Sequence, residues 1–171
     1  PYRRSIHEVW SYLEHHPFVS SCSNPHVGEQ AYGEITREGF EKILQGFGYG
    51  SHCALDESST FFDLGSGYGR FAMYMRMRTN IRWVVGMELN QCRHDRAVTG
   101  ERTLETRGAA GALAGLELLQ GDVRRLGLRN ATHVFVSIQC MGPDLIRSIL
   151  DLAADAPSVR CLVFSAQFAK S

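Results

Sequence analysis

Three acidic residues and one glycine-rich turn carry the chemistry this sequence can do. Asp63-Leu64-Gly65-Ser66-Gly67-Tyr68-Gly69-Arg70 follows an apolar run and opens a helical pattern, so it sits where a strand turns into a helix. Glycines there let the backbone approach a ligand closely, and the start of the helix offers free N–H groups. Glu88 ends the next apolar run, in Gly86-Met87-Glu88-Leu89. An acid about 20 residues beyond such a turn can accept from both hydroxyls of a bound ribose. Asp122 lies in Gln120-Gly121-Asp122-Val123 after the third run, where an acid can accept from an adenine amino group. Any single acid at a strand end can simply cap a loop. Three in succession, with Gly-x-Gly-x-Gly, describe one site at the carboxyl edge of an open sheet.

The spacing also excludes two ligands. A dinucleotide fingerprint wants a third small residue at position 70, which is Arg70, while the third glycine comes one position early at Gly69. An arginine there would crowd helix against sheet, which disfavours nicotinamide and flavin cofactors. No Gly-Lys-Ser/Thr follows, so the turn is not a P-loop.

The elements that must position these residues follow from periodicity. Strands are expected at Thr60–Leu64, Trp83–Met87, Leu116–Leu119, His133–Val136 and Val159–Phe164. Helices are expected from the glycine turn through Met77, from Asn90 to Thr106, and from Pro143 to Ala154, with Pro143 in the first turn where proline is tolerated. Ala109 to Gly115 reads as a small-residue linker. Apolar strands alternating with helices predict an α/β fold: a doubly wound, mostly parallel sheet covered on both faces. Two earlier helices preface it. One opens on the capping box Ser5-Ile6-His7-Glu8; the other runs from about Thr36 with Phe40, Ile43, Leu44 and Phe47 at helical spacing and stops at Gly46, Gly48 and Gly50.

The 171 residues suit one domain with a short arm. Lys+Arg 18 against Asp+Glu 18 argues against a grip on nucleic acid by bulk charge alone. No apolar run approaches a membrane span of about 18 residues. Cys22, Cys53, Cys92, Cys140 and Cys161 stand singly, odd in number and without a C-x-x-C pair. Neither a disulfide framework nor a zinc site is expected, and a reducing, intracellular compartment is. His15, His16, His26 and His52 lack the spacing of metal ligands. No signal peptide is visible, and the missing initiator Met suggests a trimmed chain or a fragment. The chain also stops after its fifth strand, which would leave a C-terminal hairpin outside it.

At this point the sequence resembles a family. The turn at 63–69 with Glu88 and Asp122 is similar to that of class I S-adenosylmethionine-dependent methyltransferases. Within that class it most resembles the disruptor-of-telomeric-silencing family, histone lysine methyltransferases without a SET domain. Tyr32-Gly33-Glu34 resembles the family's Tyr-Gly-Glu-Thr loop, which folds over the cofactor's methionine end. Asp63-Leu64-Gly65-Ser66-Gly67 resembles its Asp-Leu-Gly-Ser-Gly turn, Val134-Phe135-Val136 with Gly142-Pro143 its fourth strand and next helix start, and Ser165-Ala166-Gln167-Phe168 its Ser-x-x-Phe. The likeness covers about Tyr32 to Phe168. Two positions depart: Ser137-Ile138-Gln139 replaces Asn-Asn-Phe, and Ile35 replaces the Thr of the loop.

The resemblance implies S-adenosylmethionine as cofactor and S-adenosylhomocysteine as product. It assigns cofactor contacts to Tyr32, Glu34, Asp63, Gly65, Ser66, Gly67, Gly69, Glu88, Leu89, Asp122 and Val123. Tyr32, Ser137 and Phe168 fall beside the transferred methyl, and no metal is implied. Residues 1–57 become an arm with a lid loop and residues 58–171 the cofactor domain. The implied acceptor is a lysine on a protein of histone type, free or in a nucleosome, methylated by a nuclear or otherwise intracellular monomer. Direct nucleic-acid binding would need an added basic segment. Asn-Pro-Pro-Tyr/Phe is absent after strand four, against methylation of base amines. The alternatives are a methyltransferase for RNA or a small molecule, and a cofactor-fold scaffold without catalysis.

Overall fold

The computed structural model of the chain describes residues 22, 35–48, 50–138 and 141–165. The helix expected from Ser5 lies outside them. Five strands form one parallel sheet: β1 (Thr60–Leu64), β2 (Trp83–Glu88), β3 (Leu116–Gln120), β4 (His133–Ser137) and β5 (Cys161–Ser165), in the order β3-β2-β1-β4-β5. The strand order reverses beside β1, so the crevice for a ligand opens at the carboxyl end of β1.

Among the described residues, six α-helices connect or cover the strands: α1 (Arg37–Gly46), α2 (Arg70–Arg78), α3 (Gln91–Leu104), α4 (Ala110–Leu113), α5 (Val123–Leu126) and α6 (Pro143–Ala154). The Thr36 hydroxyl caps α1 by accepting from the Gly39 N–H at 3.2 Å. Between α3 and α4 the helix kinks at Gly108, whose φ of 90° breaks the helical run. The small-residue linker expected at 109–115 therefore contains a turn of helix. Alanine is the best helix former, and the turn runs from exposed Ala110 to buried Leu113.

Alternation along the buried strands sorts the core into two layers. Phe61, Val84 and Phe135 face α1 and α2, where they meet Phe40, Phe47, Phe71 and Tyr74. Phe71 stands edge-on to Phe135 with ring centroids 4.6 Å apart, and Phe40 stacks on Phe71 at 5.2 Å. Phe62, Leu64, Val85, Met87, Val134 and Val136 face the other way, with Ile149 of α6. The Tyr74 hydroxyl donates to Glu41, which pins α1 to α2.

The cysteines correct the sequence reading. Cys53 is bonded to Cys161 and Cys22 to Cys92, across 108 and 70 residues of chain. Single spacing hid both pairs because each joins elements that only the fold brings together.

Candidate active site

The glycine turn folds as a run of left-handed residues. Gly65, Gly67 and Gly69 have φ of 77°, 56° and 74°, where a side chain would be strained. The Gly65 and Ser66 N–H groups both donate to the Met87 carbonyl at 2.9 Å, which holds the turn against the end of β2. Gly86 makes this approach possible. A Cβ there would lie 3.1 Å from the Ser66 Oγ and 3.0 Å from Leu118. The sequence carried that signal, since an isolated glycine inside a strand marks close backbone approach.

Glu88 is 5 % exposed, and its two oxygens accept from two turns at once. Oε2 takes the Gly67 N–H at 2.7 Å and Oε1 the Asn90 N–H at 2.8 Å. Each carboxylate oxygen keeps a further lone pair, so two vicinal hydroxyls fit without displacing either bond. Asn90, which sequence reasoning placed only at a helix start, also caps α3 by accepting from the Arg93 N–H at 3.1 Å. Leu89 beside it is 53 % exposed, an apolar surface open for a flat ring. Gln120 fixes that corner by donating from Nε2 to the Leu89 carbonyl at 3.0 Å.

Asp122 is the N-cap of α5, accepting from the Arg124 N–H at 2.9 Å. The Arg124 guanidinium also forks onto it, Nε to Oδ1 at 3.0 Å and Nη2 to Oδ2 at 2.5 Å. These bonds hold the carboxyl below the ordinary carboxylate range. Val123 is buried beneath it.

Asp63 differs from the other two acids. It is 2 % exposed, and its Oδ2 has no hydrogen-bond partner among the described residues. Burial first, and the neighbouring Glu88 charge second, push its carboxyl up to about 7, against a lowering contribution from the Ala72 N–H. A buried, unpaired carboxyl oxygen costs stability and is relieved by a cation. An ammonium supplies one.

At the ends of β4 and β5, the Ser165 hydroxyl donates to Ser137 Oγ at 3.4 Å. Ile138 and Met141 follow, partly buried against the core layer of Phe62 and Val136, and a Cβ on Gly65 would lie 3.0 Å from the Met141 methyl. The structure thus brings Asp63, Gly65, Ser66, Gly67, Gly69, Glu88, Leu89, Asp122, Val123 and Ser137 to one sheet edge. Tyr32, Glu34 and Phe168 lie outside the described residues. Among the described residues, no group of three or more His, Cys, Asp or Glu could hold a metal ion, and no helix is long and apolar enough to cross a membrane.

These residues fit a nucleoside with a cationic amino-acid tail. Glu88 would hold the ribose, the surface of Leu89 and Asp122 the adenine, and Asp63 the ammonium. The fold is similar to that of an RNA methyltransferase from Salinibacter ruber in complex with S-adenosyl-L-homocysteine, with a TM-score of 0.56 at 20% identity over 77% of this chain and 72% of that one. It is similar to a S-adenosylmethionine-dependent methyltransferase from Thiobacillus denitrificans, also in complex with S-adenosyl-L-homocysteine, with a TM-score of 0.54 at 16% identity over 77% of this chain and 49% of that one. It is also similar to a precorrin 8w decarboxylase from Methanobacterium thermoautotrophicum, with a TM-score of 0.60 at 16% identity over 86% and 69%. The chain spans about half the length of the Thiobacillus protein. No curated protein matches it in sequence. Residues 5–156 match the family described as histone methylation protein DOT1, and with that match over most of its length the chain belongs to this family of S-adenosylmethionine-dependent methyltransferases.

Proposed function

We propose that the chain transfers a methyl group from S-adenosylmethionine to the side-chain amine of a lysine on a histone-type protein, in the nucleus. The family match over residues 5–156 carries this reading. The cofactor, when bound, supplies a methyl on a sulfonium that is open to in-line displacement. The protein's part is therefore positioning. Glu88 and the glycine turn would fix the nucleoside, and Asp63 Oδ2 the amino-acid tail.

The acceptor lysine must lose a proton, and its ordinary pKa of about 10.4 opposes that at neutral pH. The apolar side chains of Ile138 and Met141 would favour the neutral amine by desolvation. Ser137, hydrogen-bonded to Ser165, can accept from an amine N–H and hold its lone pair toward the methyl. A second reading, a scaffold that binds cofactor without transfer, is favoured by Ile138, which stands where the resemblance has an asparagine.

Labelled-methyl transfer across nucleosomes, free histones, RNA and a small-molecule extract tests the proposal. Label on histone lysine supports it, with weaker transfer to nucleosomes than in the presence of a basic extension, because affinity for them comes largely from phosphate contacts. Ile138→Asn should then raise turnover on histone at unchanged cofactor affinity. Label on RNA or a metabolite alone would overturn the lysine acceptor, and cofactor binding without any transfer would favour the scaffold.

A further inference from the structure

The two disulfides lie at opposite edges of the sheet. Cys161 begins β5, pairs in register with His133 at the start of β4, and is 4 % exposed. Cys92 is the second residue of α3, at the carboxyl edge, and is exposed. Its partner Cys22 comes from the arm, with the two Cα atoms 5.8 Å apart.

The first turn of α3 is the turn that holds Glu88. Asn90 donates its N–H to Glu88 Oε1 at 2.8 Å, while Glu88 Oε2 takes the Gly67 N–H. That turn carries no acid to meet the positive end of the helix dipole. The Asn90 side chain is the cap found there. The Cys22–Cys92 bond ties the arm covalently to this turn, two residues beyond Asn90.

We propose that Cys22–Cys92 is a redox-modification site coupled to the cofactor pocket, so that its reduction by a dithiol loosens the turn holding Glu88 and weakens cofactor binding. The inference rests on the reading of Glu88 as the ribose ligand. One thiolate of the dithiol attacks the exposed Cys92 sulfur, the S–S bond breaks, and Cys22 leaves as thiolate and takes up a proton. The second thiol of the reductant then displaces Cys92 from the mixed disulfide, forming a cyclic disulfide and leaving two protein thiols. Exposure governs access to this exchange, so the Cys53–Cys161 bond, with Cys161 buried and Cys53 partly buried, should persist at reductant levels that open Cys22–Cys92.

The test titrates the full chain with dithiothreitol, maps new thiols by alkylation and mass spectrometry, and measures S-adenosylhomocysteine affinity by calorimetry. Thiols should appear first at 22 and 92, with affinity falling by at least about fivefold, the lower end of ordinary site-to-site coupling. The double variant Cys22→Ser, Cys92→Ser should bind like the reduced chain whether or not dithiothreitol is present. Amide exchange at Gly67 and Asn90, read without any cofactor, should quicken on reduction. Equal affinity and unchanged exchange in both states would overturn the coupling, as would prior opening of Cys53–Cys161. Absence of binding in either state, with exchange at Gly67 and Asn90 still responding, would instead overturn the ribose reading and leave the mechanical coupling standing.

Discussion

The amino and carboxyl edges of this sheet are built from similar residues to opposite ends. At the amino edge polar groups close on one another. Thr132 Oγ1 accepts from the Thr60 N–H at 2.9 Å, and Arg160 reaches both Ser59 and Asp56. Asp56 accepts from the hydroxyls of Ser58 and Ser59, which bring its carboxyl down to about 2. Cys53–Cys161 fastens the same corner. At the carboxyl edge Asp63 is left with an orphaned oxygen and Glu88 with spare lone pairs. One edge spends its polar groups on the fold; the other leaves acceptor capacity open.

The comparison breaks most visibly at the disulfide of the amino edge. Cys53→Ser with Cys161→Ser should lower unfolding stability in urea by about 2–5 kcal/mol. Cofactor affinity of the folded protein should stay within roughly twofold, because distant sites behave independently. A loss of affinity with stability unchanged would erase the distinction between the edges.

Glu88→Ala should show the converse. It removes the proposed acceptor of the ribose and the observed acceptor of two backbone N–H groups, and should cost about 2–3 kcal/mol of cofactor affinity by calorimetry. Asp63→Asn sharpens the point, because it should stabilise the fold while weakening the cofactor. The Asp63 carboxyl is raised from 3.8 to about 7 in the folded state, so its contribution is intact below 3.8 and is lost as pH rises through about 7. The variant should therefore gain about 1–3 kcal/mol over the parent at pH 8 and little at pH 4, read from denaturant midpoints. His133, held below its ordinary 6.5 first by burial and then by Arg160, works the other way. Its contribution is intact above 6.5 and declines as pH falls below it, so both proteins should share that acid-side loss.

The smallest effect is expected at Arg124. Its fork on Asp122 is half exposed, and such pairs contribute little. Arg124→Ala should leave the denaturation midpoint and cofactor affinity nearly unchanged. A larger loss of affinity would make Arg124 part of the adenine site.

Much of this contrast was legible in the sequence, and the reasons for the rest are physical. β1 at Thr60–Leu64 and the helix at Pro143–Ala154 emerge with the ends read from apolar runs and Pro143. β5 begins at Cys161 rather than Val159 because the Val159 N–H closes a turn on Ala156, and pairing with β4 starts only at His133. The glycine turn, Glu88 and Asp122 could be placed on one edge because strand order and parallel direction follow from the alternation of elements. That Asp63 Oδ2 has no partner among the described residues, that Arg124 occupies Asp122, and that four cysteines are bonded could not be read. Each depends on distances between residues that the chain separates or on which rotamer the packing leaves open.

The claim that the carboxyl edge is the cofactor site is tested most directly by amide hydrogen exchange with and without S-adenosylhomocysteine. Protection is expected at Gly65 to Gly69, at Glu88 to Asn90 and at Gly121 to Val123, with no change at Cys53, Thr60 or His133. Protection confined to the amino edge, or none at the glycine turn under saturating ligand, would contradict it.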